Sequence, residues 1–185
     1  MKMNLPNKLT TLRVILIPFF VFFLLMADQL GSWSVWVALI IFVAACLTDM
    51  LDGRIARKYN LITNFGKFMD PLADKLLVMA ALVCFVALDR MPAWIVIIIL
   101  AREFIISGFR LIAAEQGTVI AASMWGKVKT AVTMVTIIVM IPNFGGELMY
   151  WVEQILIYAS LILTVVSLAD YIIKNRKVLS DGGKP

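Results

Sequence analysis

The sequence predicts an all-α integral membrane protein with six transmembrane helices and both termini in the cytosol. Three observations lead to this prediction: an apolar composition, repeated apolar runs of membrane-crossing length, and a one-sided distribution of Lys and Arg. Hydrophobic residues make up 62% of the 185 residues, and the mean hydropathy is +0.95. An average soluble domain contains about 45–50% apolar residues, so the composition excludes an ordinary soluble protein.

The apolar runs are long enough to cross about 30 Å of hydrocarbon as helices. With boundaries that can move by about 2–4 residues, they lie near 9–27, 33–57, 70–88, 92–114, 123–142 and 148–173. Because the connections are short and contain no Gly/Ser-rich linker, residues 1–185 are predicted to form a single membrane-embedded domain. Residues 1–8 would form an interfacial segment, and 175–185 a cytosolic tail.

The positive charges determine the predicted orientation. With the N-terminus in the cytosol, all of the 17 Lys and Arg residues except Arg90 lie at or near the cytosolic side, as the positive-inside rule requires. The net charge of +5 is spread along this face and forms no basic tail. Membrane lipids and phosphate compounds are therefore the expected partners, and nucleic acid is not.

Four aspartates interrupt the apolar pattern: Asp49, Asp52, Asp70 and Asp74. A carboxylate at membrane depth costs several kcal/mol unless it meets a cation or water. The chain contains no His, and clustered carboxylates without His or Cys suit Mg²⁺, Mn²⁺ or Ca²⁺ better than zinc. The aspartates therefore predict a divalent-metal site that faces the cytosol.

The first pair of aspartates shares a helical surface with small residues. At about 100° per residue, Asp49, Asp52, Gly53 and Ala56 lie on one face of a helix, with Arg57 at its edge. Small residues allow a ligand or a backbone to approach closely, and the forked guanidinium of Arg57 suits a phosphate. This face could therefore bind a phosphate compound beside the metal.

The second pair repeats the arrangement. Asp70 and Asp74 are four residues apart and share one helical face, with Gly66 one turn earlier. Two metal ions bridged by the four carboxylates would suit in-line displacement at phosphorus. Taken alone, Asp70 followed by Pro71 is also typical of a helix N-cap, and a capping Asp could still contact a metal.

The complete string from Asp49 to Asp74, D-x2-D-G-x2-A-R-x8-G-x3-D-x3-D, resembles the signature of the CDP-alcohol phosphotransferases without departure. The resemblance implies an enzyme that uses divalent metal, Mg²⁺ or Mn²⁺ and two ions, while a hydroxyl group displaces CMP from a CDP-linked lipid or alcohol. It implies that Asp49, Asp52 and Asp70 are metal ligands, and that Asp74 is both a metal ligand and the general base. The residues implied to hold the cytidine diphosphate are Gly53, Ala56, Arg57 and Gly66.

A second group of cations bears on the acceptor. Arg110, Lys127 and Lys129 lie near the cytosolic face and could clamp a phosphate, which favours a phosphorylated acceptor over a neutral one. Alternatively, Lys127 and Lys129 could extend toward lipid headgroups. Arg102 could simply pair with Glu103 or another neighbour.

Three segments resemble the phosphatidylglycerophosphate synthase branch of the family: residues 4–13, 102–110 and 126–130. This resemblance implies transfer of the phosphatidyl group from CDP-diacylglycerol to sn-glycerol 3-phosphate, which gives phosphatidylglycerophosphate and CMP. Asn7 and Thr10 would then lie near the nucleotide, in a polar cavity that opens to the cytosolic side.

Alternatives to this function remain at the sequence level. The same chemistry could use inositol phosphate, serine or phosphatidylglycerol as the acceptor, and intramembrane carboxylates could instead line a divalent-cation transporter. Relatives of this size imply a bacterial plasma membrane location and a homodimer, for which a small six-helix unit has lipid-facing surface available.

Overall fold

The computed structural model describes residues 5–58, 64–115, 120 and 123–176, and its described side chains are those of 7–49, 69, 72–73, 75–114, 120 and 123–176. Every regular element in these residues is an α-helix, which confirms the predicted all-α class. The helices are α1 (Leu5–Leu25), α2 (Ala27–Leu30), α3 (Trp33–Lys58), α4 (Asn64–Ala87), α5 (Ala93–Glu115), α6 (Met124–Met140) and α7 (Glu147–Lys174).

The long helices follow the apolar runs. Helices α3, α5, α6 and α7 begin and end within one or two residues of the predicted spans. Helix α2 was not predicted, and it forms a single turn in which the Met26 carbonyl accepts hydrogen bonds from the N–H groups of Gln29 and Leu30. Gly31 then separates α2 from α3 with a φ of 92°, a conformation that costs glycine little.

One prediction near a helix start is wrong. The third span was placed from residue 70, but α4 begins at Asn64, so Asp70 and Pro71 lie inside the helix and Asp70 does not cap it. Hydropathy marks where a helix becomes apolar, whereas the polar first turns of α4 are equally helical. Residues 5–8 already belong to α1, and residues 1–4 lie outside the described part of the chain, so the interfacial segment assigned to 1–8 stays a prediction.

The chain divides into two compact units, which are described separately. The first comprises Met1–Arg90 and Ile137–Phe144, and the second comprises Met91–Thr136 and Gly145–Pro185. The prediction of a single domain stays a prediction.

In the first unit, α1 packs against α3 and α4. The Phe20 and Phe42 rings, both fully buried, lie with their centroids 5.7 Å apart. Ala38 and Ala45 flank Phe42 on the buried side of α3, and their small side chains allow α1 to approach closely. This apolar contact joins α1 to α3, which carries the first half of the acidic motif.

In the second unit, α5 packs against α7, and the Phe109 and Tyr171 rings meet edge to face at 6.0 Å. Hydroxyl groups join α6 to α7, because the Thr136 Oγ1 and Ser160 Oγ atoms lie 3.0 Å apart. Hydrogen bonds of this kind between apolar helices contribute about 0.6–2 kcal/mol each in membrane proteins. The second unit therefore combines apolar and polar contacts between its helices.

Two of the described helices are long and apolar enough to cross a membrane, over Asn7–Leu25 and Glu147–Lys174. Shorter apolar stretches cover Trp33–Asp49 and Lys75–Ala87. Large apolar side chains also face outward, among them Ile40, Ile97, Phe104, Ile155 and Ile173. Helices that are apolar on both their buried and outer sides are typical of membrane proteins.

Candidate active site

The N-terminal half of α1 has a polar buried face. Asn7, Thr10 and Arg13 are three residues apart in turn, and all three side chains are buried in the first unit. The same face continues with apolar residues at Ile17, Phe20 and Leu24. These six residues form a continuous stripe along α1 that faces α3 and α4. The stripe is polar in the first turns of the helix and apolar in the later ones.

Arg13 contacts the acidic motif directly. Its Nη1 atom donates a hydrogen bond of 2.6 Å to Oδ1 of Asp49 on α3. The Arg13 side chain is 1% exposed and the Asp49 side chain 37% exposed, so the pair extends from the interior toward an accessible carboxylate. Charge-assisted bonds of this type are among the stronger ones in proteins.

The other motif residues lie on the two helices that carry the motif. Asp52, Gly53, Ala56 and Arg57 follow Asp49 in the last turns of α3. Gly66, Asp70 and Asp74 lie in α4, with the two aspartates one helical turn apart. Helices α1, α3 and α4 contact one another in pairs, so the backbone brings the predicted metal and nucleotide positions into one unit. The side chains of these seven residues are outside the described set.

Asp49 fits a role as ligand for a hard divalent cation. Its oxygens are the donor type that Mg²⁺ and Mn²⁺ prefer, and among the described contacts Oδ2 has no partner. Within the described side chains there is no group of three or more acidic, His or Cys residues that could hold a metal. The remaining predicted ligands, Asp52, Asp70 and Asp74, are not among those side chains.

The predicted acceptor cations differ in their surroundings. Arg110 and Lys127 are exposed, whereas the Lys129 side chain is 3% exposed. The Lys129 Nζ atom lies 2.7 Å from Oε1 of Glu103. Residues two apart on a helix are rotated by about 200° around the helix axis, which explains why Lys127 and Lys129 lie on opposite sides of α6.

Arg102 belongs to the same buried group. Its Nη1 atom donates to Oε1 of Glu103 at 2.9 Å, which confirms the predicted pairing, and its Nη2 atom donates to Ser167 Oγ on α7. We call Arg102, Glu103, Lys129 and Ser167 the charged cluster. It joins α5, α6 and α7, and its two cations share one carboxylate, so its formal charge is +1.

Gly126 lies against the charged cluster at the start of α6. Its N–H donates to Ser123 Oγ at 3.2 Å, as in a helix with an N-terminal serine cap. A β-carbon at this position would lie 3.1 Å from Nη2 of Arg102. Because Glu103 and Ser167 hold the guanidinium from two sides, it has little room to move away.

Substitution of Gly126 by alanine is therefore expected to lower the free energy of unfolding by about 1–3 kcal/mol through overpacking. Gly108→Ala on α5 provides a matched control, since a β-carbon there has open space and the substitution should stabilise the helix by up to about 1 kcal/mol. Thermal unfolding of the purified variants in detergent measures both effects. Equal melting temperatures for the two variants would contradict the close approach.

Sequence reasoning missed two functional candidates. Arg13 was counted only as a cytosolic charge, although its spacing from Asn7 and Thr10 could have placed all three on one helical face. Glu103 was treated only as a possible partner of Arg102, and no local pattern links it to Lys129, which is 26 residues away.

These features define an all-helical protein in which an acidic, glycine-containing motif occupies two neighbouring helices and a buried arginine faces its first carboxylate. Residues 3–166 match the family model of CDP-alcohol phosphatidyltransferase. The chain belongs to the CDP-alcohol phosphatidyltransferase family.

Curated relatives cover nearly the whole chain. A protein of Bacillus subtilis named CDP-diacylglycerol--glycerol-3-phosphate 3-phosphatidyltransferase is 43% identical over 95% of this chain and 97% of its own length. A Haemophilus influenzae protein of the same name is 42% identical over 93% of each chain. A probable phosphatidylglycerophosphate synthase of Mycobacterium tuberculosis is 38% identical over 91% of this chain and 80% of its own.

Proposed function

We propose that this protein transfers the phosphatidyl group from CDP-diacylglycerol to sn-glycerol 3-phosphate and releases CMP. The observation that carries the proposal is the match to relatives named for this reaction, at 43% identity over 95% of the chain. The intact acidic motif on α3 and α4 supports the same chemistry.

The proposed reaction is a substitution at phosphorus. The acceptor hydroxyl forms a new P–O bond to the phosphatidyl phosphorus, the P–O bond to CMP breaks, and the hydroxyl proton passes to the Asp74 carboxylate as general base. Mg²⁺ or Mn²⁺, bound as a pair of ions, would supply positive charge to the diphosphate and the leaving CMP. Asp49, Asp52, Asp70 and Asp74 would hold the metal.

Other residues of the motif are proposed to bind the nucleotide end of the substrate. Gly53, Ala56 and Gly66 would leave room for the cytidine diphosphate, and Arg57 would donate to a phosphate. Asn7 and Thr10 are proposed to contact the same nucleotide. Their burial beside Arg13 supports a role at the site rather than in the solvent-exposed part of α1.

The acceptor phosphate is proposed to bind to Arg110, Lys127 and Lys129. Arg110 and Lys127 are exposed and can meet an anion that arrives from water. Lys129 lies on the opposite side of α6 from Lys127 and would contribute at longer range, through the formal charge of +1 of the charged cluster. These charges support a phosphorylated acceptor over a neutral one.

The proposed setting is the bacterial plasma membrane. Six membrane spans would place both termini and the opening of the active-site cavity on the cytosolic side, where the positive charges concentrate. CDP-diacylglycerol would keep its acyl chains in the bilayer, and glycerol phosphate would arrive from the cytosol. We also propose a homodimer, for which outward apolar residues of α7 such as Ile155, Ile162 and Ile173 supply surface.

An acceptor panel tests the proposed function. Purified protein with labelled CDP-diacylglycerol and Mg²⁺ or Mn²⁺ is expected to release CMP with sn-glycerol 3-phosphate, and at least about tenfold more slowly with inositol phosphate, serine or phosphatidylglycerol. Preferred use of another acceptor would show that the protein catalyses the same type of transfer with a different acceptor substrate. Metal flux into liposomes without release of CMP would instead indicate a transporter.

A further inference from the structure

The pair formed by Arg13 and Asp49 is unequal in burial. The guanidinium is 1% exposed and the carboxylate is 37% exposed, although only 2.6 Å separates Nη1 of Arg13 from Oδ1 of Asp49. A buried cation needs a nearby negative charge, whereas a carboxylate with this much exposure could be solvated without one. Water could stabilise the Asp49 carboxylate without Arg13. The hydrogen bond from Arg13 therefore serves mainly to orient this carboxylate.

The bond engages only part of the acceptor capacity of Asp49. A carboxylate has about four lone-pair sites on two oxygens, and the described contact uses one site on Oδ1. The guanidinium is held in a packed interior by α1, so its hydrogen bond restrains the direction in which Oδ1 points. The carboxylate is 37% exposed and Oδ2 has no partner among the described contacts, so Oδ2 can accept a cation.

We propose that Arg13 is a positioning residue that orients the Asp49 carboxylate so that Oδ2 faces a divalent cation. This inference rests on the proposed function, because it presumes that Asp49 is a metal ligand. Some groups hydrogen-bond to a metal ligand and fix its orientation. Replacing such a group commonly lowers the metal affinity by about 10–100-fold. Arg13 would act in this way through Asp49, without touching the metal or the substrates.

The opposite role for Arg13 is to occupy the cation's place and compete with it. Competition would require the metal to displace Nη1 from Oδ1, which would break a charge-assisted hydrogen bond of 2.6 Å. Sharing the carboxylate, with one oxygen for each cation, keeps that hydrogen bond in place. The geometry therefore favours positioning over competition, and the two roles predict opposite changes in metal affinity.

The affinity for Mn²⁺ tests the proposal without any turnover. Full-length protein in detergent is titrated with MnCl₂ in the absence of both substrates, and free Mn²⁺ is measured by electron paramagnetic resonance. Arg13→Gln is expected to weaken Mn²⁺ binding by about 10–100-fold. Lys8→Gln, which removes an exposed positive charge from the same helix, should change the affinity by less than about twofold.

A second comparison covers the case in which Arg13→Gln does not fold. Arg13→Lys keeps the positive charge but lacks the planar, forked donor group of arginine, so it should also weaken Mn²⁺ binding. In an Asp49→Asn background, replacement of Arg13 should have no further effect on the affinity, because the oriented group is gone. A folded Arg13 variant that binds Mn²⁺ as tightly as the wild type, or more tightly, would overturn the positioning role.

Failure of the proposed function gives a different result. Wild-type protein that binds no Mn²⁺ and releases no CMP would overturn both the function and the role of Arg13. Wild-type protein that releases CMP, together with Arg13 variants of unchanged Mn²⁺ affinity, would overturn the role of Arg13 alone.

Discussion

Replacement of Asp74 by asparagine is expected to lower the rate of CMP release by about 10²–10⁴-fold. The amide has nearly the shape of the carboxylate, but it cannot accept the proton of the attacking hydroxyl, and it removes one negative charge from the proposed metal ligands. The measurement is glycerol 3-phosphate-dependent release of CMP from CDP-diacylglycerol at saturating substrate and metal.

Asp89→Asn provides the control for this experiment. Asp89 is exposed in the turn after α4, and its φ of 54° is a conformation that Asn adopts readily. The control should therefore keep the wild-type rate and melting temperature. An Asp74→Asn protein that remained active would refute the assignment of the base while leaving the family unaffected.

The largest effect on stability is expected for Glu103→Gln. This substitution removes the carboxylate that Arg102 and Lys129 share and leaves both cations buried beside a neutral amide. Loss of one partner from a buried ion pair typically costs about 3–5 kcal/mol. Thermal and denaturant unfolding in detergent should therefore show a marked loss of stability, even though the side chain keeps its size.

Glu147→Gln is the matched control for loss of a carboxylate. Glu147 is exposed in the first turn of α7, so its replacement loses only a favourable interaction with the helix dipole, about 0.3–1 kcal/mol. If the Glu103 variant unfolded at the same temperature as this control, then Arg102 and Lys129 would obtain their compensation from other groups.

Much of the helical architecture follows from the sequence, because long apolar runs leave few alternatives to a long helix. Helix α5, for example, begins just after Pro92, whose carbonyl accepts a hydrogen bond from the Ile95 N–H. The start of α4 could not be predicted in this way. Its first turns carry polar residues, and hydropathy does not separate a polar helical turn from a loop.

The position of the acidic motif on two helices was also predictable, since its spacings are those of helical faces. Its partner was not, because Arg13 and Asp49 are 36 positions apart and meet only when α1 packs against α3. The same limit applies to Lys129. Its charge suggested an anion site, whereas its burial against Glu103 depends on how α5 and α6 pack.

The stripe on α1 has a consequence for how deeply the acidic site lies in the bilayer. A one-turn slide of α1 along its neighbours, about 5.4 Å, would move Arg13 away from Asp49 and toward the apolar contacts made by Ile17 and Phe20. Both the ion pair and the phenylalanine contact oppose that slide. The axial register of α1 is therefore fixed at two levels, and with it the distance between the first carboxylate and the apolar stretch that matches the lipid tails.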